Sequence, residues 1–215
     1  MADVLRVDSD DGGVTRYASA FRERDVFATQ RHTHQVVEVT GALATRASVR
    51  AELAGRSFGL VTASGHGTFF NFLGSDGKAV WDFNDVDLDL LSGAIVHFLA
   101  CQAGAALGGL LERNGVRAFW GYTVDFKWMR LTIPLANLAD DDEAEPFFAP
   151  DVVIDNGILS GMNAEEIHDA VSGRVTKQLM AWNHSSDAAR RALLLANYMG
   201  LAWPGMSWGD PGATL

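Results

Sequence analysis

The stretch from Gly93 to Ala100 constrains this chain most, because it is almost free of polar side chains. Seven of its eight residues are non-polar, and the segment from Cys101 to Gly104 follows directly. A short apolar run of this kind predicts a strand that is buried on both faces. Such strands belong to parallel sheets that helices cover on both sides. We therefore expect an α/β fold built around this strand.

The amino-terminal part of the chain alternates strand-like and helix-like segments. Strands are predicted at Val4–Val7, Val36–Val39 and Phe58–Ser64, and helices at Tyr17–Arg31 and Ala42–Ala54. This order favours parallel pairing through right-handed crossovers. We predict a three-layer α-β-α sandwich with a mostly parallel, twisted sheet of about six strands, and we assign residues 1–215 to a single domain.

A β-hairpin is predicted between the two central strands. Its strands are residues 68–73 and 78–83, and its turn contains Asp76-Gly77, a pair that favours positive φ. Beyond it we predict a helix at 105–114, a strand at 116–122, an acidic solvated loop at 139–145, and helices at 163–182 and 186–199. Asn163 and Glu166 have the spacing of a capping box.

The composition excludes several classes of partner. The formal net charge of the 215 residues is −10, which argues against a nucleic acid or an anionic membrane as partner, since both attract basic patches. A single cysteine excludes an internal disulfide and a cysteine-based zinc site. With no apolar leader or membrane span in the sequence, we expect a cytoplasmic protein that uses no cofactor and no metal. The sequence leaves the oligomeric state open.

Two residues with catalytic chemistry follow predicted strands. His66 lies between two glycines after Phe58–Ser64, and Cys101, the only cysteine, follows Gly93–Ala100. Carboxyl ends of parallel strands meet at one edge of a sheet, so we expect the two side chains to lie together as base and nucleophile. The helix predicted after Cys101 would favour its thiolate, and the amides of Gly67 and Cys101 would face an oxyanion. Taken singly, Cys101 is also compatible with a small buried side chain and His66 with a loop histidine.

His97 is a weaker candidate for the base. It precedes Cys101 by four residues on the same predicted strand, which separates the two by roughly 13 Å at about 3.3 Å per residue. We therefore expect His97 to be a buried, hydrogen-bonded core residue.

The order of these elements resembles that of the caspase-like (clan CD) cysteine peptidases, which include metacaspases, gingipains and the bacterial CHAT-domain proteases. The matching residues are Ser64-Gly-His-Gly67 and Leu99-Ala-Cys-Gln-Ala-Gly104, with His66 and Cys101 35 positions apart. The resemblance implies a cysteine endopeptidase in which Cys101 attacks the peptide carbonyl and His66 is the general acid–base. It also implies that the amides of Gly67 and Cys101 form the oxyanion hole. The resemblance does not identify a third residue that would orient His66.

Substrate specificity stays open at this point. Relatives that cleave after Arg or Lys have an acidic residue two positions before the cysteine, where this chain has Leu99. Asp10 and Asp11, after the first strand, are other sources of negative charge for that pocket. Trp128 is a candidate pocket wall, with core packing as its simpler role. The acidic run at 139–145 is a candidate lid or activation segment.

Three functions are consistent with the sequence. The first is an endopeptidase that acts on protein or peptide substrates, of the regulatory or defence type found in bacteria. The second is a catalytically silent caspase-like module that binds other proteins. The third is an unrelated α/β ligand-binding domain in which Cys101 and His66 coincide by chance. The first fails if the two side chains lie at different edges of the sheet.

Overall fold

The structure is a computed structural model that describes residues 3–85, 87–131, 133–206 and 209–215. Its strands are β1 (Asp3–Asp8), β2 (Gln35–Thr40), β3 (Leu60–Ser64), β4 (His66–Gly67), β5 (Asn71–Leu73), β6 (Ala79–Asp82), β7 (Ile95–Leu99), β8 (Ala118–Tyr122) and β9 (Leu201–Ala202). Its α-helices are α1 (Gly13–Arg22), α2 (Ala28–Gln30), α3 (Arg46–Gly55), α4 (Leu107–Arg113), α5 (Glu145–Leu159), α6 (Ala164–Ala181) and α7 (Ala188–Met199). A π-helical turn, Glu23–Phe27, joins α1 to α2.

The main sheet has six strands in the order β2-β1-β3-β7-β8-β9. The first five run parallel, and β9 pairs antiparallel with β8 at the edge. This confirms the predicted mostly parallel sheet. The predicted hairpin forms within a second, antiparallel sheet, β4-β5-β6, whose first strand contains His66. Gly77 in its turn has φ +69°, the conformation that the Asp-Gly pair predicts.

Two hydrophobic cores lie on opposite faces of the main sheet. Alternate residues of each strand point to opposite faces, so Ile95 and Leu99 join one core while Val96 and Phe98 join the other. The first core packs against α1, α5 and α6, and the second against α3, α4 and the β4-β5-β6 sheet. The result is the expected three-layer sandwich. In the described part of the chain, no helix is both long and apolar enough to cross a bilayer.

The region after β8 departs most from the sequence prediction. Helix α5 was not predicted, because it is buried on almost all sides and contains Pro150 and Gly157, so it has no polar face to reveal a helical period. The run at 139–145 is solvated only in part. Asp140 and Asp142 are exposed, but Asp141 is fully buried and accepts hydrogen bonds from the amides of Glu143 and Ala144 at 3.0 and 3.1 Å. The acidic residue therefore organises the start of α5.

The capping box before α6 is confirmed. Asn163 Oδ1 accepts from the Glu166 amide at 3.0 Å, and Glu166 Oε2 accepts from the Asn163 amide at 2.9 Å. Two amides at the helix start are thereby satisfied, as the local sequence predicts.

Buried charged side chains lie between the sheet and helices α1 and α5. Asp155 accepts hydrogen bonds from Arg22 Nε and His97 Nδ1, both at 2.8 Å. His97 Nε2 contacts Asp151 at 3.1 Å, so this imidazolium lies between two carboxylates. Arg22 also pairs with Asp8 at 2.6 Å. His97 is thus the buried, hydrogen-bonded residue that its position predicts.

This network supports the two strand ends that precede the candidate site. Asp8 ends β1 and accepts from Ser64 Oγ, at the end of β3, at 2.6 Å. Burial alone would raise the pKa of the Asp8 carboxyl, but Arg22 and Arg6 outweigh it and hold that pKa below its usual value. Asp8 is therefore ionised and fixes the ends of β1 and β3 relative to each other.

Raising the pH should weaken the fold through His97. Burial alone would lower its pKa, but Asp155 and Asp151 outweigh burial and raise the pKa to about 9, compared with about 6.5 in an unfolded chain. A pKa that is higher in the folded state stabilises fully below the unfolded value, and the contribution is lost as the pH rises through the folded value. Urea denaturation should therefore give a free energy of unfolding that falls by about 3 kcal/mol between pH 6 and pH 10. An equal fall in His97→Gln would assign the effect to other groups.

Candidate functional site

The fold brings the two predicted catalytic segments to the same edge of the main sheet. Strands β3 and β7 are parallel neighbours with Ser64 opposite Leu99, and the Gly65 amide donates to the Leu99 carbonyl at 3.2 Å. His66 follows Gly65 directly, and Cys101 follows Leu99 after one intervening residue. A Cβ added to Gly67 would lie 2.3 Å from the Cys101 carbonyl oxygen and 3.2 Å from its amide nitrogen. Only glycine permits the two segments to approach this closely.

The Cys101 thiol is half-buried and held from one side. The Phe126 amide donates to Cys101 Sγ at 3.4 Å. Burial raises the pKa of the thiol, and the Phe126 amide lowers it less than burial raises it. The expectation that a helix amino terminus favours the thiolate is therefore wrong: α4 begins only at Leu107, too far along the chain for a dipole that acts within its first turn.

The turn that follows Cys101 has an unusual backbone. Among described residues other than glycine, Gln102 alone has a positive φ, +58°, which costs roughly 1–3 kcal/mol and recurs at functional sites. Its amide donates to the Val124 carbonyl at 3.0 Å, and its side-chain Nε2 donates to Asp125 at 2.7 Å. These bonds join the turn to the chain after β8.

Residues 123–131, which we call the covering segment, contain no helix or strand beyond β8 and lie next to Cys101. Asn197 holds this segment by accepting from the Lys127 amide at 3.1 Å and donating to the Lys127 carbonyl at 2.7 Å. Asp141 holds its end by accepting from the Leu131 amide at 2.9 Å. Part of the predicted acidic lid thus anchors the covering segment and is not itself a lid.

His66 lies against the loop that follows β1. Its Nε2 is 3.7 Å from Asp11 Oδ1, and a Cβ added to Gly12 would lie 3.1 Å from the same nitrogen. The imidazole is 45% exposed, so a substrate can reach it. The sequence provided no signal for an acidic neighbour of His66, because the contact depends on β1 and β3 being adjacent in the sheet.

The other predicted substrate residues are distributed around this edge. Trp128 and the cation Arg130 lie over Gly13, at 3.7 and 3.3 Å from the position of an added Cβ. Asp10 pairs with Arg16. Leu99 is buried in the first core, where its side chain has no access to a substrate.

A cavity of about 680 Å³ lies beside the candidate site and does not include it. It opens at the carboxyl ends of β1 and β2, next to α1, and its lining includes Asp10, Arg16 and Glu38 but neither His66 nor Cys101. Asp10, which lines the cavity, directly precedes Asp11 in the loop after β1. In the described ranges, no three His, Cys, Asp or Glu side chains converge as metal ligands would.

The strand order, the antiparallel edge strand and the helices on both faces make up a caspase-like α/β fold. A solved structure with this fold is that of gingipain R, described as an Arg-specific cysteine proteinase. It aligns with 99% of this chain and 47% of its own, at 12% sequence identity and a TM-score of 0.57. This chain therefore spans less than half the length of the gingipain chain. No family model matches the sequence, and neither does any curated protein.

Proposed function

We propose that this protein is a cysteine endopeptidase with Cys101 as nucleophile and His66 as general acid–base. The observation that carries the proposal is the pairing of the two strand ends at one edge of the sheet, with Gly67 in contact with the Cys101 backbone. The caspase-like fold, which this chain shares with a solved cysteine proteinase, supports the same chemistry.

The proposed reaction proceeds in two halves. His66 takes the Cys101 proton as the sulfur attacks the carbonyl carbon, and the amides of Gly67 and Cys101 stabilise the oxyanion. His66 then protonates the leaving amine, the C–N bond breaks, and a thioester remains on Cys101. In the second half, His66 removes a proton from water, the hydroxide attacks the thioester, and the released thiolate takes the proton back. Each half returns the imidazole to its neutral form.

We assign Asp11 the role of positioning residue for His66. Its carboxylate is 3.7 Å from Nε2, a distance at which an opposite charge stabilises the imidazolium that forms during each half-reaction. Because Asp11 contacts Nε2 of the ring, the other nitrogen, Nδ1, is the one that exchanges protons with the thiol and the leaving amine. This role replaces the one expected from the sequence, in which Asp11 supplied charge to a substrate pocket.

Trp128 is proposed to line the side of the site that binds the acyl part of the substrate. Its ring lies 3.7 Å from the position of a Cβ added to Gly13, and its indole Nε1–H has no hydrogen-bond partner within the described residues. We do not extend the Arg specificity of gingipain R to this chain. Asp10 is engaged by Arg16, Leu99 lies in the core, and the side chain over Gly13 is the cation Arg130.

The raised pKa of the Cys101 thiol favours an enzyme that is inactive until a substrate or partner activates it. A buried thiol that stays protonated next to the covering segment reacts slowly until a substrate or partner moves that segment and relieves the burial. This fits the regulatory type of protease that the sequence suggests. The same observation supports the alternative, a catalytically silent caspase-like module that binds other proteins.

Cleavage of a diverse peptide library, read by mass spectrometry, tests the proposal against this alternative. The active enzyme should produce a set of cleavages that is absent with Cys101→Ala, a variant that changes one half-buried sulfur. Cleavages that persist in Cys101→Ala would exclude Cys101 as the nucleophile. Iodoacetamide labelling of Cys101 that is unchanged by His66→Ala, together with no cleavage, would favour the silent module.

A further inference from the structure

Two exposed phenylalanines lie on the hairpin that carries His66. Phe69 and Phe70 are 49% and 55% exposed, whereas Phe72 in the same hairpin is fully buried and packs against Phe98 in the second core, with ring centroids 5.0 Å apart. Single exposed apolar residues are common on protein surfaces. Two adjacent aromatic rings beside a candidate catalytic residue need a physical explanation.

These two residues occupy the tip of the connection between β4 and β5. The Thr68 amide donates to the Asn71 carbonyl at 2.9 Å across the tip. Positions of this kind usually hold Gly, Asn, Asp or Ser, which cost little to expose and suit tight turns. Neither phenylalanine contributes to the buried cores as Phe72 does, so local folding does not account for their presence. Such departures from local preference are expected at functional sites.

The tip is held rigidly next to the turn that carries Cys101. The Phe69 carbonyl accepts from the Leu107 amide at 3.2 Å, and the Phe70 carbonyl accepts from the Phe83 amide at 2.7 Å. The Phe70 ring also packs edge-on against Phe83, with ring centroids 5.8 Å apart. The two rings therefore form an exposed apolar surface on a hydrogen-bonded tip, between the His66 strand and the start of α4.

The proposed mechanism of peptide hydrolysis indicates which part of the substrate lies against this surface. His66 protonates the leaving nitrogen, so the chain beyond that nitrogen must run along the imidazole side of the site. The β4–β5 hairpin belongs to that side, because it carries both His66 and the two phenylalanines. We propose that Phe69 and Phe70 bind an apolar side chain on the carboxyl-terminal side of the scissile bond. This inference rests on the proposed function and adds to it the class of leaving segment that the enzyme prefers.

The test compares two quenched peptides that differ only in the residues after the cleaved bond, Leu or Gly, once the library has supplied an acyl part. The native enzyme should cleave the Leu peptide with a kcat/KM about tenfold higher, the range for one apolar group in a pocket. In Phe69→Ser/Phe70→Ser this ratio should fall to within about twofold, because the apolar surface is gone. Phe69→Leu/Phe70→Leu should keep most of the ratio, and so should Met180→Ser, which removes an apolar side chain that is 72% exposed on α6.

The outcomes separate the two proposals. Cys101-dependent cleavage with random residues after the cleaved bond, or a Leu-to-Gly ratio unchanged in the double serine variant, would overturn this inference and leave the peptidase intact. Absence of any Cys101-dependent cleavage would reject the peptidase and this inference together. Apolar residues enriched after the cleaved bond, with the ratio lost only in the serine variant, would establish Phe69 and Phe70 as specificity residues.

Discussion

His66→Ala should lower kcat/KM for Cys101-dependent cleavage by about 10³-fold, within the range for losing a general acid–base. The effect should be large in this protein because burial raises the pKa of the Cys101 thiol. Without the imidazole, the thiol stays protonated near neutral pH and the leaving amine has no proton donor. Initial rates on the best library peptide measure the change. His184→Ala, which removes an exposed histidine elsewhere on the chain, should leave the rate unchanged.

Substitutions of Asp11 test how much the residue beside His66 contributes to the rate. Asp11→Asn should lower kcat/KM by about tenfold, mainly through kcat, because the imidazolium that forms during the reaction loses a neighbouring negative charge. Asp11→Glu should recover part of the rate. A His66→Ala enzyme that retains a tenth of its activity would show that another group is the base. An unchanged kcat in Asp11→Asn would show that Asp11 does not position His66.

Asp155→Ala should destabilise the protein by about 3–5 kcal/mol, the cost of breaking a buried ion pair from one side. Arg22 and His97 would each lose a carboxylate at 2.8 Å while remaining buried. Domains are typically stable by about 5–15 kcal/mol, so the variant should lose a large share of its stability. Urea denaturation at pH 7 measures the loss.

Glu112→Ala is the matched control for this prediction. Glu112 is an exposed acidic residue on α4, and its removal should change stability by about 0.5 kcal/mol or less. A loss below about 1 kcal/mol in Asp155→Ala would mean that water enters and solvates the charges, which a closed network excludes. Peptidase activity of Asp155→Ala at low temperature should also fall, since the network fixes the ends of β1 and β3 through Asp8.

The strands near the candidate site could be predicted because their signals are local. An apolar run such as Gly93–Ala100 leaves few alternatives to a buried strand, and the capping box of Asn163 and Glu166 acts over a single turn of helix. Helix α5 escaped prediction because burial on almost all sides removes the amphipathic period. Asp141 escaped for a related reason, since a cluster of acidic residues is usually solvated and only the fold shows which member is buried.

The sequence by itself determined the α/β class, the order of the strands along the chain, and the location of His66 and Cys101 after two buried strands. Only the tertiary structure decided which groups surround those two residues: Asp11 beside the imidazole, the Phe126 amide on the thiol, and exposed phenylalanines at the hairpin tip. The physical reason is that strand formation depends on neighbouring residues, whereas the charge and burial of a catalytic group depend on segments that are distant in the chain and meet only when the sheet assembles.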